Sequence, residues 1–110
     1  MPRNADPYCP VARALDIIGE RWSLLVLRDL TLQGPRRFQD LQHSLVGISP
    51  NTLSARLKTL EAAGVIVRRF YDQHPPRAEY LLTAKGEALR PTLRALREWG
   101  EAYAPRWSDR

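Results

Sequence analysis

The chain has little of what most small-protein chemistry is made from, with one cysteine, two histidines and one methionine in 110 residues. Cys9 has no second thiol for an internal disulfide, and His43 and His74 alone cannot supply a metal-ligand set of the usual spacing. No glycine-rich phosphate loop, paired histidine ligands or nucleophile elbow occurs. These absences lead us to expect no enzyme, no metal and no cofactor. No apolar run approaches the ~18 residues that span a bilayer, and no basic-then-apolar leader opens the chain. A reducing, cytoplasmic protein without a membrane partner is expected.

What is present suits a folded domain. With 44% hydrophobic and 26% charged residues, the composition lies near the globular average rather than in the disordered class. The length suits one compact domain with a small core. We expect a loose arm over residues 1–8, "MPRNADPY", and a single domain over 9–110. A net charge of +5 and a pI of about 10.0 favour a polyanionic partner, with an inert solvated surface as the alternative. The excess is local. Residues 1–34 carry four arginines against four acids, whereas residues 49–77 carry Arg56, Lys58, Arg68, Arg69 and Arg77 against Glu61 and Asp72.

Periodicity gives the elements. Val11, Ala14, Leu15 and Ile18 form one apolar face of a short helix that Pro10 can open and Gly19 can stop. "ERWSLLVLRDLTLQG" is apolar most of the way round, as in a central helix, and Gly34–Pro35 ends it. "RRFQDLQHSLVG" is a shorter helical pattern. Ser49 as N-cap and Pro50 as first residue begin a helix to Ala63 whose Leu53, Leu57 and Leu60 point inward, with Gly64 as a left-handed stop. "VIVRRFY" and "RAEYLLT" flank the turn "DQHPP" as a hairpin over 67–82. Thr83 caps a last helix that Pro91 bends or interrupts. Two short helices followed at once by a hairpin are the arrangement of a winged helix-turn-helix, an α+β, mostly helical fold.

The outer side of the 49–63 helix is the candidate site. At ~100° per residue from Leu53, Asn51, Ala55, Lys58, Thr59 and Ala62 point outward, with Thr52 and Ser54 on the flanks. No acid lies among them. Asn pairs with adenine, Ser and Thr bond base edges or phosphates, and the Ala55 methyl can meet a thymine methyl. Lys58 suits a phosphate. Ser49 is a cap that can also serve an anion at the helix N-terminus. Arg56 lies nearer the core edge and suits either phosphate contact or an internal pairing. In the hairpin, Arg69, His74 and Arg77 join the candidates. Arg68 and Arg69 alternate in direction, so only one faces DNA from the strand.

Three segments in order, "CPVARALDIIGERWSLLVLRDL", "RRFQDLQHSLVGISPNTLSARLKTLEAAGVIVRRFY" and "PPRAEYLLTAKGEAL", resemble the HxlR-type winged-helix transcriptional regulators. The resemblance spans roughly Cys9 to Trp99. It implies a homodimeric regulator of double-stranded DNA with the 49–63 helix in the major groove, the hairpin as wing, and the first and last helices as the dimer interface. Independently, Leu93, Leu96, Trp99 and Tyr103 leave an apolar stripe that suits a partner. The two-fold implies an inverted repeat, with repression by occupation of a promoter. Cys9 falls where some members of that family carry a cysteine that senses oxidants, and a helix start with Arg13 one turn on would favour its thiolate. An oxidant or small-molecule effector is therefore a candidate partner. The competing readings are a winged-helix protein-interaction module and a regulator whose DNA binding requires its effector.

Overall fold

Residues 7–106 are described in a computed structural model, in the order α1 (Pro10–Ile18), α2 (Arg21–Gln33), α3 (Phe38–Ser44), α4 (Pro50–Ala62), β1 (Ile66–Gln73), β2 (Pro76–Leu82), α5 (Ala84–Glu87) and α6 (Arg90–Tyr103). Most of the arm expected over 1–8 lies outside the described residues, as does Trp107.

The central role expected of α2 holds. Its start is fixed by Glu20, whose carboxylate accepts the amides of Trp22 at 2.6 Å and Ser23 at 3.2 Å, an anion on the positive end of the helix. Val26, Leu27 and Leu30 of α2 are sealed against Leu41 of α3, Leu45 just past its end, and Leu53, Leu57 and Leu60 of α4. Val65 and Ile66 complete this cluster where the chain enters β1. Burying that leucine-rich surface is what fixes the three helices relative to one another.

Strands β1 and β2 pair antiparallel from Ile66 opposite Leu82 to Gln73 opposite Pro76. The register shifts between Phe70 and Asp72, leaving Tyr71 as an extra residue in a bulge. The wing has one more participant than the two strands expected. Arg36 is extended rather than helical, and bridges β2: its amide donates to the Tyr80 carbonyl at 3.0 Å and its carbonyl accepts the Tyr80 amide at 2.7 Å. The helical pattern expected from "RRFQDLQHSLVG" therefore begins only at Phe38. Asp40 fixes that start by accepting the Arg37 amide at 3.0 Å, which holds its carboxyl below the usual range.

The last helix is interrupted. Thr83 caps α5 through the Gly86 amide at 3.2 Å, but α5 ends at Glu87, and Pro91 lies in the first turn of a separate helix, α6. Proline lacks the amide that a continuous helix needs there, whereas a first turn does not use it. Gly86 is buried so closely against the wing base that a β-carbon would stand 2.2 Å from the Val65 carbonyl oxygen. By contrast, α6 has no buried residue, and only Leu93 near its start packs on the core.

Candidate nucleic-acid interface

The turn between α3 and α4 passes Gly47 at φ 95° and delivers Ser49 as the cap of α4. Ser49 and Thr52 form a reciprocal pair. The Ser49 hydroxyl accepts the Thr52 amide at 3.1 Å and donates to the Thr52 hydroxyl oxygen at 2.9 Å. The Ser49 proton is thereby used internally, and the Thr52 hydroxyl proton is left to donate elsewhere.

Along α4, Asn51, Lys58, Thr59 and Ala62 are exposed, and Thr52, Ser54 and Ala55 are half-buried on either side. The helical-wheel expectation thus matches the burial of the helix except at Ala55, expected to face outward and found half-buried on the flank. Thr59 also donates its hydroxyl to the Ala55 carbonyl at 3.0 Å, so it presents an oxygen and two methyl-bearing neighbours rather than a free donor. Arg56 is half-buried, with its Nε sealed from solvent and unpartnered among the described residues, which places its stem at the core edge.

Glu61, the one carboxylate of α4, is half-buried and 3.9 Å from Arg68 of β1. Arg68 in turn lies over the Phe70 ring at 5.4 Å. Arg69 takes the other face of β1 and is held by its cross-strand neighbour Glu79, at 2.5 Å from Nη2 and 3.1 Å from Nε. Its charge is already matched. Near the wing tip His74 and Arg77 are exposed, and the His74 amide donates to the Asp72 carboxylate at 3.2 Å. Hydrogen bonding with Tyr71, and then the charge of Asp40, raises the pKa of Arg37 at the start of α3.

The base of the site carries contacts that sequence reasoning missed. Lys85 Nζ donates to the Ala63 carbonyl at 2.6 Å, and the Thr83 hydroxyl donates to the Gly64 carbonyl at 2.6 Å. The carbonyls just past the end of α4, at the C-cap Ala63 and the following Gly64, are thus taken up by the segment after the wing. Gly64 at φ 76° makes the reversal between them. "TAKG" signals a helix start in sequence; nothing in its spacing signals that it reaches back nineteen residues or more.

At the start of α1, Cys9 is the half-buried N-cap residue, and its thiol makes no capping bond. Arg13 donates to the Pro7 carbonyl at 2.8 Å. Val11 and Leu15 of α1 and Leu96, Trp99 and Tyr103 of α6 are exposed, the last three by 51%, 61% and 73%. Among the described residues there is no cluster of metal-ligating side chains and no helix long and apolar enough to cross a membrane.

Comparison with known proteins bears on this geometry. The HTH-type transcriptional regulator sll1512 of Synechocystis is 43% identical over 106 residues, spanning 91% of this chain and 78% of the relative. Among solved structures, the redox regulator HypR in its oxidised form superposes with a TM-score of 0.82 at 35% identity, over 89% of this chain and all of HypR. The transcriptional regulator YodB of B. subtilis, in its reduced form, gives 0.74 at 31% identity over 87% and 94% of the two chains. Such transcription regulators are not enzymes. The HxlR-like helix-turn-helix family matches residues 17–108, and this chain, with its helical core, paired wing and capped α4, belongs to the HxlR-like transcriptional regulators.

Proposed function

We propose that residues 9–110 act as a homodimeric, sequence-specific DNA-binding unit that lays α4 of each protomer in a major groove. The observation that carries this reading is the acid-free outer side of α4. Its exposed residues are neutral or basic, and its single carboxylate is drawn aside to Arg68. A helix face with no reason to meet an anion ordinarily mixes acids with bases.

Roles follow from exposure and hydrogen bonding. Asn51 and the free proton of Thr52 read base edges, with Ser54 and Ala55 beside them, while Lys58 and the α4 N-terminus at Ser49 meet phosphate. Thr59 presents its oxygen at the far end of the same face, and Arg56 steadies it from the core edge. His74 and Arg77 touch the neighbouring backbone or minor groove from the wing tip, with Arg69 contributing weakly because Glu79 holds it. The uncovered stripes of α1 and α6 pair with those of a second copy. A two-fold dimer then reads an inverted repeat with half-sites about one helical turn apart, and represses by occupying a promoter. Control by an oxidant is favoured by the likeness to the redox regulator HypR together with the half-buried Cys9 at the start of α1.

The experiment is to incubate the protein with fragmented genomic DNA at near-physiological salt, sequence what binds, and repeat with Asn51→Ala and Thr52→Ala. Enrichment of an inverted repeat that the two substitutions blunt is the expected result. An enriched motif indifferent to both substitutions would mean that another face reads the DNA. Uniform weak recovery at every protein concentration would favour the interaction-module reading.

A further inference from the structure

A second site lies away from α4. Helices α2 and α6 diverge around a groove of about 510 Å³, within the ~300–1,000 Å³ typical of small-molecule sites. Its apolar lining includes Leu24 and Leu25 of α2 and Leu93 of α6. Four guanidinium groups stand on it, those of Arg28, Arg90, Arg94 and Arg97, and no carboxylate lines it. Two of the four are committed: Arg28 to Asp29 at 2.8 Å, and Arg90 to Glu87 and to the Thr31 carbonyl at 3.1 Å. Arg94 and Arg97 have no hydrogen-bonded or ionic partner among the described residues. The Thr31 hydroxyl, also on the lining, is buried without a partner among them.

We infer that this groove is a binding site for a small amphipathic organic anion, an apolar ring or short chain bearing one carboxylate or sulfonate. The apolar wall takes the ring, and Arg94 and Arg97 take the acid group, with the planar fork of a guanidinium suited to two of its oxygens. A second copy of the chain is a poorer occupant. Its α6 would bring Arg90, Arg94 and Arg97 against only Glu98 and Glu101, adding like charge to a groove that is already cationic. Of the outer stripe of α6 the groove shares Leu96 at its edge, while Trp99, two residues on from Arg97, points about 200° away from it around the helix.

Occupancy would be felt at α4. α6 follows α5, and α5 together with its cap holds the carbonyls of Ala63 and Gly64, just past the end of α4, through Lys85 and Thr83. An anion that fixes α6 against α2 therefore fixes the clamp on α4, and this regulatory half of the inference rests on α4 being the DNA-reading helix.

The test uses the full chain and 8-anilinonaphthalene-1-sulfonate, whose fluorescence rises in apolar sites, beside N-phenyl-1-naphthylamine, the same ring system without the sulfonate. One dye per protomer is expected, weakened at least about tenfold by Arg94→Ala or Arg97→Ala, as for loss of a charged hydrogen bond. The neutral ring should bind weakly and be indifferent to both substitutions. An anionic dye unaffected by either change, or a neutral ring bound as tightly, overturns the site, and so does dye binding that appears only on dilution to monomer. Anisotropy with a duplex bearing the enriched motif, with and without saturating dye, tests the coupling. A shift in DNA affinity of severalfold, lost in Arg97→Ala, supports it, and an unchanged affinity with the dye bound overturns it. Failure of DNA binding itself would count against α4 and leave the dye titration standing.

Discussion

Lys58 and Arg69 are both cations beside the proposed groove contact, and they should behave differently. Lys58 is exposed on the outer side of α4 and makes no ion pair among the described residues, whereas Arg69 is gripped by Glu79 through two nitrogens. A cation that neutralises a phosphate contributes about 0.9 to the slope of log affinity against log salt, so a dimer losing two Lys58 side chains should lose about 1.8 from that slope. Between about 50 and 200 mM salt, the deficit of Lys58→Ala relative to the parent should then shrink roughly tenfold. Arg69→Ala should change the slope by less than half as much, because the Arg69–Glu79 pair presents little net charge to the backbone. Glu79→Ala, which frees that charge, should steepen the slope. Fluorescence anisotropy on a cognate and a scrambled duplex across a salt series reads all of these. Equal slope losses for Lys58→Ala and Arg69→Ala, or none for Lys58→Ala, would refute the reasoning.

Three further outcomes follow from the packing and charge. Gly86→Ala should lower stability by about 1–3 kcal/mol, since the new methyl meets the Val65 carbonyl at 2.2 Å, although alanine is the better helix former. Thermal unfolding reads this as a fall of about 4–8 °C per kcal/mol, and an unchanged or raised midpoint would show that α5 stands off the wing base. Asp40 has a lowered pKa because it accepts the Arg37 amide, so its contribution is present above the ordinary carboxylate value of about 4 and is lost as pH falls through the depressed folded value. Asp40→Asn should accordingly be less stable than the parent at pH 7 and converge with it in acid, as urea midpoints across pH would show; a constant gap would place the effect elsewhere. Finally, an oxidant should alter DNA affinity in the parent and leave Cys9→Ser unmoved, and equal responses would dispose of Cys9 as the sensor.

What could be read in the sequence was whatever depended on neighbours along the chain. The 3.6-residue spacing of Leu53, Leu57 and Leu60 gave the buried side of α4 and, by subtraction, its outer side, and Ser49–Pro50 gave its start. The strand alternation separated Arg68 from Arg69. What escaped depended on contacts between distant residues. Arg36 looks like the start of a helical pattern until the Tyr80 backbone pairs with it. Glu61 reads as a stray acid in a basic helix until Arg68 draws it aside, and Arg69 reads as a free cation until Glu79 claims it. The groove between α2 and α6 was equally invisible, since its arginines come from two helices that only the fold brings together.

Those long-range contacts explain how so small a domain can place α4, the helix we propose reads DNA, firmly. The inner side of α4 is fixed by leucines, which hold it against α2 and α3 but leave its end free to fray. Its N-terminal end is fixed by the Ser49–Thr52 pair and its C-terminal end by Lys85 and Thr83. Both ends are therefore tied by polar bonds, and the second tie belongs to the segment that leads into α6. Because α6 packs on the core only near its start, whatever covers its exposed stripe or fills the groove beneath it acts on the one end of α4 that is not set by α4's own sequence. In this arrangement the residues that complete the fold also join α6 to the C-terminal end of the helix we propose reads DNA.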